Sequence, residues 1–93
     1  MSSWRYEFKG AADRVFAKLP KAAKAAILNA LDRLVFELSN PAEPKVSNVK
    51  KLGGRGDEWR LRVGDYRVVF ERNGDRLIIL VLHVGRRRDV YRD

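Results

Sequence analysis

The sequence predicts an α+β fold: an N-terminal strand, a two-helix hairpin, then an antiparallel β-meander packed against the helices. Three observations predict it. Apolar residues recur at three- and four-residue steps between Lys21 and Leu38, the period of a helix. From Trp59 onward the pattern changes to alternation at period two, that of a half-buried strand. Two tight-turn signals, Gly64-Asp65 and Asn73-Gly74, then divide that half into strands.

At the N-terminus, Trp4, Tyr6 and Phe8 alternate with Arg5, Glu7 and Lys9, which describes a short strand with an aromatic inner face, ended by Gly10. Ala11, Ala12, Val15, Phe16 and Leu19 then follow helical spacing, so a short amphipathic helix is expected over 11–19. Pro20 interrupts it, because proline lacks an N–H and disfavours a helical residue before it, yet it suits the first turn of a new helix. That second helix places Ala23, Ala26, Ile27, Ala30, Leu31, Leu34, Val35 and Leu38 on one face and Lys24, Asn29, Asp32, Arg33 and Glu37 on the other. Ser39-Asn40-Pro41 stops it. The two helices are expected to lie across the sheet as an antiparallel hairpin.

Residues 41–57 form a connector rich in Pro, Gly, Ser and Lys, with a short strand expected around Val49 to Leu52. Lys50, Lys51 and Arg55 add positive charge there. Trp59, Leu61 and Val63 then face one way, and Arg60 and Arg62 the other. A two-residue Gly64-Asp65 loop sets Val63 opposite Tyr66 and Arg62 opposite Arg67. Two like charges directly opposite are destabilising. Either an anion sits between them, or the side chains splay apart and pair with Glu58 or Glu71. If Asn73-Gly74 is also a two-residue loop, Glu71 faces Arg76. The unbroken apolar run Leu77 to Val84 implies a strand covered on both faces. Gly85 then permits a turn, so that Arg86, Arg87 and Arg88 either reach back over the face carrying Arg62 and Arg67 or form a solvated tail. Counted from the Asn-Gly turn, His83 falls on the opposite face from Arg67, with Ile79 and Val81, as a core or strand-end histidine. Tyr91 is either a stacking or proton-transfer group or a tail residue docked on the core.

Composition narrows the function. The 93 residues carry 20 Lys plus Arg against 12 Asp plus Glu, a formal net charge of +8. Of the 20 basic residues, 13 are arginine, the planar fork that suits bidentate phosphate recognition. Such a balance favours polyanionic partners. The chain has no cysteine and one histidine, so disulfides, thiolate-metal sites and multi-histidine metal sites are excluded. No Gly-rich phosphate loop or Ser or Cys nucleophile pattern occurs. The N-terminal MSSWRYEFKG lacks a signal-peptide core, and no run approaches the ~18 to 20 apolar residues of a membrane span. A cytoplasmic protein without a membrane or small-molecule cofactor is expected.

Between Lys51 and Tyr91, KLGGRGDEWRLRVGDYRVVFE followed by LIILVLHVGRRRDVY resembles the RelE branch of the RelE/ParE superfamily of bacterial type II toxins. The likeness is to a basic strand, then G-D-Y-R, then V-G-x-R-x-x-V-Y, and it extends over almost the whole chain. It implies that residues 1–93 form a single toxin domain of the RelE-like microbial RNase type. It further implies an endoribonuclease, or mRNA interferase, acting in the A site of the 70S ribosome. There the ribose 2′-hydroxyl attacks the adjacent mRNA phosphate without a metal, leaving a cyclic phosphate and a 5′-hydroxyl. By resemblance the catalytic residues are Arg60, Arg62, Arg67, Arg87 and Tyr91, with Lys50, Lys51, Arg55, Arg86 and Arg88 contacting RNA. A cognate antitoxin is implied as partner. Several relatives carry lysines where this chain has Arg60 and Arg62, and arginine is a poor proton acceptor. The base is thereby left to Tyr91 or to ribosomal RNA. Two other readings stand beside this one: a ParE-type inhibitor of DNA gyrase, which the LHVGRRRD segment resembles, and a non-catalytic RNA- or ribosome-binding module.

Overall fold

The computed structural model describes residues 3–52 and 57–86. The elements run β1 (Arg5–Phe8), α1 (Gly10–Ala17), α2 (Lys21–Ser39), β2 (Val49–Lys51), β3 (Glu58–Val63), β4 (Tyr66–Asn73) and β5 (Ile78–Arg86). The strands make one five-stranded sheet in the order β1-β5-β4-β3-β2. β2 to β5 form the expected antiparallel meander, and β1 closes the far side by pairing parallel to β5. The expected strand around Val49 to Leu52 is β2.

Both helices pack on the same face of the sheet. α1 begins one residue earlier and ends two residues earlier than its apolar spacing suggests. Pro20, at φ −58° and ψ 151°, stands just before α2 rather than within its first turn. At the other end, Asn40 leaves helical geometry ahead of Pro41, and its side-chain amide donates to the Phe36 carbonyl at 2.8 Å. That satisfies one of the carbonyls a helix end leaves without an intrahelical donor. Ile27, Leu31 and Leu34 of α2 meet Leu61, Val68, Phe70, Ile79, Val81 and Val84 of the sheet in one core, with Ala12 of α1. The aromatic inner face of β1 joins it through Tyr6 and Phe8, and Phe8 stacks at 4.8 Å on Phe16. Among the described residues, no helix is long and apolar enough to cross a membrane.

Glu37, expected on the polar face of α2, is instead only 2 % exposed. The connector explains this. The Val46 and Ser47 amides donate to Glu37 Oε2 at 2.9 and 3.1 Å, and Arg33 Nε donates to the same oxygen at 3.0 Å. A carboxylate thus stands in for the missing backbone partners of a loop, and it clamps the connector against α2 just before β2.

Two expectations about β5 are overturned. The β4–β5 loop holds four residues, Gly74 to Leu77, because Asn73 still pairs with Ile78. The Asn73 side chain accepts from the Arg76 amide at 3.0 Å, and Leu77 takes a positive φ of 54°, so this short loop is closed by an Asx-type bond. Glu71 therefore faces Leu80, not Arg76. Nor does the strand turn at Gly85: it continues to Arg86, with Gly85 opposite Arg67 and Arg86 opposite Tyr66.

Phe70 is fully buried, and Phe70→Ala is expected to cost about 3–5 kcal/mol, read as a lower midpoint in urea denaturation. For Glu37, burial raises its carboxyl pKa, but the hydrogen bonds from Val46, Ser47 and Arg33 outweigh burial and hold it below the ordinary value. Its contribution to stability is therefore full above the ordinary glutamate range and is lost as pH falls toward the depressed folded-state value. Glu37→Gln should lower stability at neutral pH and flatten the acid limb of a pH–stability curve. An unchanged acid limb would count against the clamp.

Candidate nucleic-acid interface

The functional face is the one turned away from the helices. Antiparallel register sets its side chains in rows across the sheet. The row nearest the β3–β4 turn is Arg62, Arg67 and Gly85; the next is Lys50, Arg60, Val69 and His83; the third is Glu58, Glu71, Leu80 and Glu7. Cations thus occupy the turn end, while the far end mixes these carboxylates with Arg5, which pairs with Glu7 at 3.7 Å.

The Gly64-Asp65 loop creates the first row. Gly64 has φ +57° while Asp65 is not in the left-handed region, as a type II′ turn requires. Two residues suffice for the loop, so Arg62 is locked directly opposite Arg67. The pair does not share one environment. Arg62 is exposed, whereas Arg67 is 2 % exposed, with its Nε and Nη1 atoms covered. Arg67 was expected on a solvated face; the structure instead sets it as a fixed cation beneath the surface, where its field is less screened by solvent. Arg60, half-buried, stands beside it in the next row, with exposed Lys50 on its other side.

Other expected RNA contacts lie elsewhere. Lys51 pairs with Trp59 on the helix side, with its ammonium 5.7 Å from the Trp59 ring and 3.7 Å from Asp57. Arg86, opposite Tyr66, also belongs to the helix side at the end of β5. Neither joins the cationic rows, because strand alternation turns both away. Arg55, Arg87, Arg88 and Tyr91 lie outside the described residues. Arg72 is a further cation that alternation alone would have placed on the helix side: it stacks between Trp59 at 4.6 Å and Trp4 at 5.9 Å, where it acts as packing.

His83 is the main correction. Val69 pairs with His83 and Phe70 with Val81, so Leu82 is an extra residue, a β-bulge in β5. Alternation counted straight through the apolar run puts His83 with Ile79 and Val81. The bulge reverses the parity and turns His83 onto the arginine face. A run with no polar residues gives no phase signal, so only the pairing reveals the slip. A cleft of about 750 Å³ opens at this end of β5, where His83, Val69 and Gly85 meet Tyr66 and Arg86 of the helix side and Val15 of α1.

Residues 5–91 match the family described as the ParE toxin of type II toxin-antitoxin system, parDE. The chain belongs to this family. It is a toxin of a type II toxin–antitoxin system in the RelE/ParE superfamily, and its fold is RelE-like. It is similar to the toxin of the archaeal RelE–RelB complex from Pyrococcus horikoshii OT3, at 28% identity and a TM-score of 0.71, over 94% of this chain and 98% of that one. The toxin–antitoxin complex RelBE2 from Mycobacterium tuberculosis matches at 24% identity and a TM-score of 0.73, over 92% and 100%. The isolated E. coli RelE toxin matches at 22% identity and a TM-score of 0.66, over 97% and 92%. These last two likenesses bear on the fold alone. Among proteins of curated function, none matches the chain.

A methyl group at Gly64 would meet nothing within 4 Å, so backbone strain alone opposes it. Gly64→Ala should cost about 1–2 kcal/mol, the left-handed penalty of an L-residue. Urea denaturation checks this, and an unchanged midpoint would show that the turn tolerates a side chain.

Proposed function

We propose that this toxin is a ribosome-dependent endoribonuclease that cuts mRNA in the A site. The observation that carries this reading is the pair of cationic rows, Arg62 and Arg67 beside Lys50 and Arg60, on a rigid sheet face bordering a cleft. In the reaction the 2′-oxygen bonds to phosphorus while the bond from phosphorus to the 5′-oxygen breaks. Charge builds on the non-bridging phosphate oxygens. Preorganised guanidinium groups stabilise such charge strongly because they need not reorganise during the step. Arg67 supplies a fixed charge below the surface, and Arg60 and Arg62 supply forks that reach phosphate oxygens bidentately. Arg87 and Tyr91 complete the catalytic set by resemblance, with Arg55 and Arg88 adding charge for RNA. Residues 1–93 act as one cytoplasmic domain.

The partner in the resting state is a cognate antitoxin. The archaeal and mycobacterial relatives were each solved bound to theirs. A positive face invites an acidic chain by the same electrostatics that attract RNA.

A second reading is inhibition of DNA gyrase, favoured by the family match to ParE toxins. Primer extension on mRNA under translation separates the two. Codon-phased cuts are expected. Intact mRNA with trapped gyrase–DNA complexes would establish the gyrase reading, and intact mRNA without them would leave a binding module. Arg62→Ala, at an exposed position, should lower the cleavage rate by about 10²- to 10³-fold with an unchanged circular dichroism spectrum, as for loss of one transition-state donor. Cleavage at the wild-type rate by Arg62→Ala and Arg67→Lys alike would refute the assignment of these rows.

A further inference from the structure

We propose that His83 is the proton acceptor that activates the ribose 2′-hydroxyl. This rests on the RNA-cleaving reading and supplies the group that reading lacks. Arginine and lysine make up the cationic rows, and neither side chain accepts a proton in its charged form. Among the described residues of this face, His83, Glu58, Glu71 and Glu7 can accept one. Their distances from the cationic pair decide among them. Glu71 stands four residues from Arg67 along β4, about 13–14 Å at the usual strand rise, and Glu58 is directly across from it. His83 is opposite Val69, two residues from Arg67, which makes it a diagonal neighbour at about 7–8 Å. Glu7 lies farther still, beyond Leu80 in the row of Glu71, so among these described groups His83 is the one near enough to act on the ribose whose phosphate the Arg62–Arg67 row holds.

The strand register keeps His83 accessible. Gly85 is the residue directly across from Arg67, so β5 itself sets no side chain between that arginine and His83. Val69, buried and apolar, separates His83 from Arg60 within its own row and offers it no hydrogen bond. His83 itself is exposed and lines the cleft. Among the described residues, the charged groups near it are Arg60 and Lys50 from β3 and β2 and Arg67 from β4, with Glu58 and Arg86 lining the same cleft. The bulge at Leu82 is what delivers the ring there. Bulges commonly re-aim a side chain beside an active site.

In the step, the neutral imidazole takes the 2′-hydroxyl proton as the 2′-oxygen bonds to phosphorus. The bond from phosphorus to the 5′-oxygen breaks, and the departing oxygen takes a proton from water. The imidazolium then returns its proton to the hydroxide so formed. No electron transfer occurs and the base is regenerated.

The test uses the full chain on ribosomes programmed with mRNA. His83→Gln and His83→Ala should each lower single-turnover cleavage by about 10²- to 10⁴-fold, the usual contribution of a positioned proton acceptor. Both should bind the programmed ribosome as wild type does, because the exposed ring is not needed for the fold. Added imidazole should restore part of the activity of His83→Ala and none of that of Arg62→Ala. Cleavage by His83→Gln within a few-fold of wild type would overturn the assignment. So would lost ribosome binding, or lost cleavage that imidazole does not restore. A wild-type protein that cuts nothing would defeat the endoribonuclease reading itself, and this assignment with it, which the wild-type lane reads separately.

Discussion

The pairing of β5 is the constraint on which the rest depends. This strand is hydrogen-bonded on both sides over its first half, to β1 in parallel and to β4 antiparallel. β1 follows it only as far as Val81. The chain then leaves β1 with the Lys9 amide bonded to the Val81 carbonyl at 2.9 Å, and α1 takes over beside the strand. The bulge falls on the next residue, Leu82. Below it, Ile79 and Val81 supply the core; above it, Val84 does so. An unbulged strand would keep Ile79, Val81 and His83 on one face, leaving an imidazole in the core and Val84 turned away from it. Inserting one residue keeps apolar side chains on the core side along the whole strand, and it moves the histidine to the opposite face as a consequence. Core packing and site geometry are thus settled by the same local irregularity.

That origin explains what the amino-acid order disclosed and what it hid. Helix α2 was legible because a stripe of aliphatic residues at helical period has few other solutions, and its end was legible because Asn40-Pro41 cannot continue it. The β3–β4 hairpin was legible in register because Gly at the first central position of a two-residue loop leaves one pairing. The β4–β5 loop was not, since Asn73-Gly74 also serves a four-residue loop in which Asn73 closes an Asx bond to Arg76. Glu37 read as a surface residue because its partners, the Val46 and Ser47 amides, belong to a loop without periodicity. The face of His83 was hidden for a different reason: an unbroken apolar run carries no phase, so a slip inside it leaves no trace.

The hairpin also shows how a like-charge pair is tolerated. Side chains directly opposite in a sheet have Cβ atoms about 4.5–5.5 Å apart, a separation at which two free cations repel. Here Arg62 extends into solvent while Arg67 lies beneath, so water screens one charge and the protein fixes the other. The arrangement is poor for stability taken alone, since burying a charge is costly. It is well suited to concentrating positive potential at a point that a phosphate can approach. Arg72, by contrast, spends its charge between two indoles on the other face. The count of arginines therefore says less about binding than the side of the sheet each occupies.

The same register sets a second like-charge pair, Glu58 opposite Glu71, four residues along β3 from Arg62. At the usual strand rise the two pairs stand about 13–14 Å apart. On the endoribonuclease reading, a bound polyanion gains more at the turn end than beside the Glu58–Glu71 pair, which favours phosphates over the first two rows. On the same reading, a nucleotide that extends toward Glu58 and Glu71 does so best with its uncharged base leading. Carboxylates accept hydrogen bonds from exocyclic amino groups, so that end favours a base carrying one. On the endoribonuclease reading, the polarity that orients the strand also bears on which base follows the scissile phosphate. Both properties then trace to the alternation that places arginines and glutamates on one side of β3 and β4.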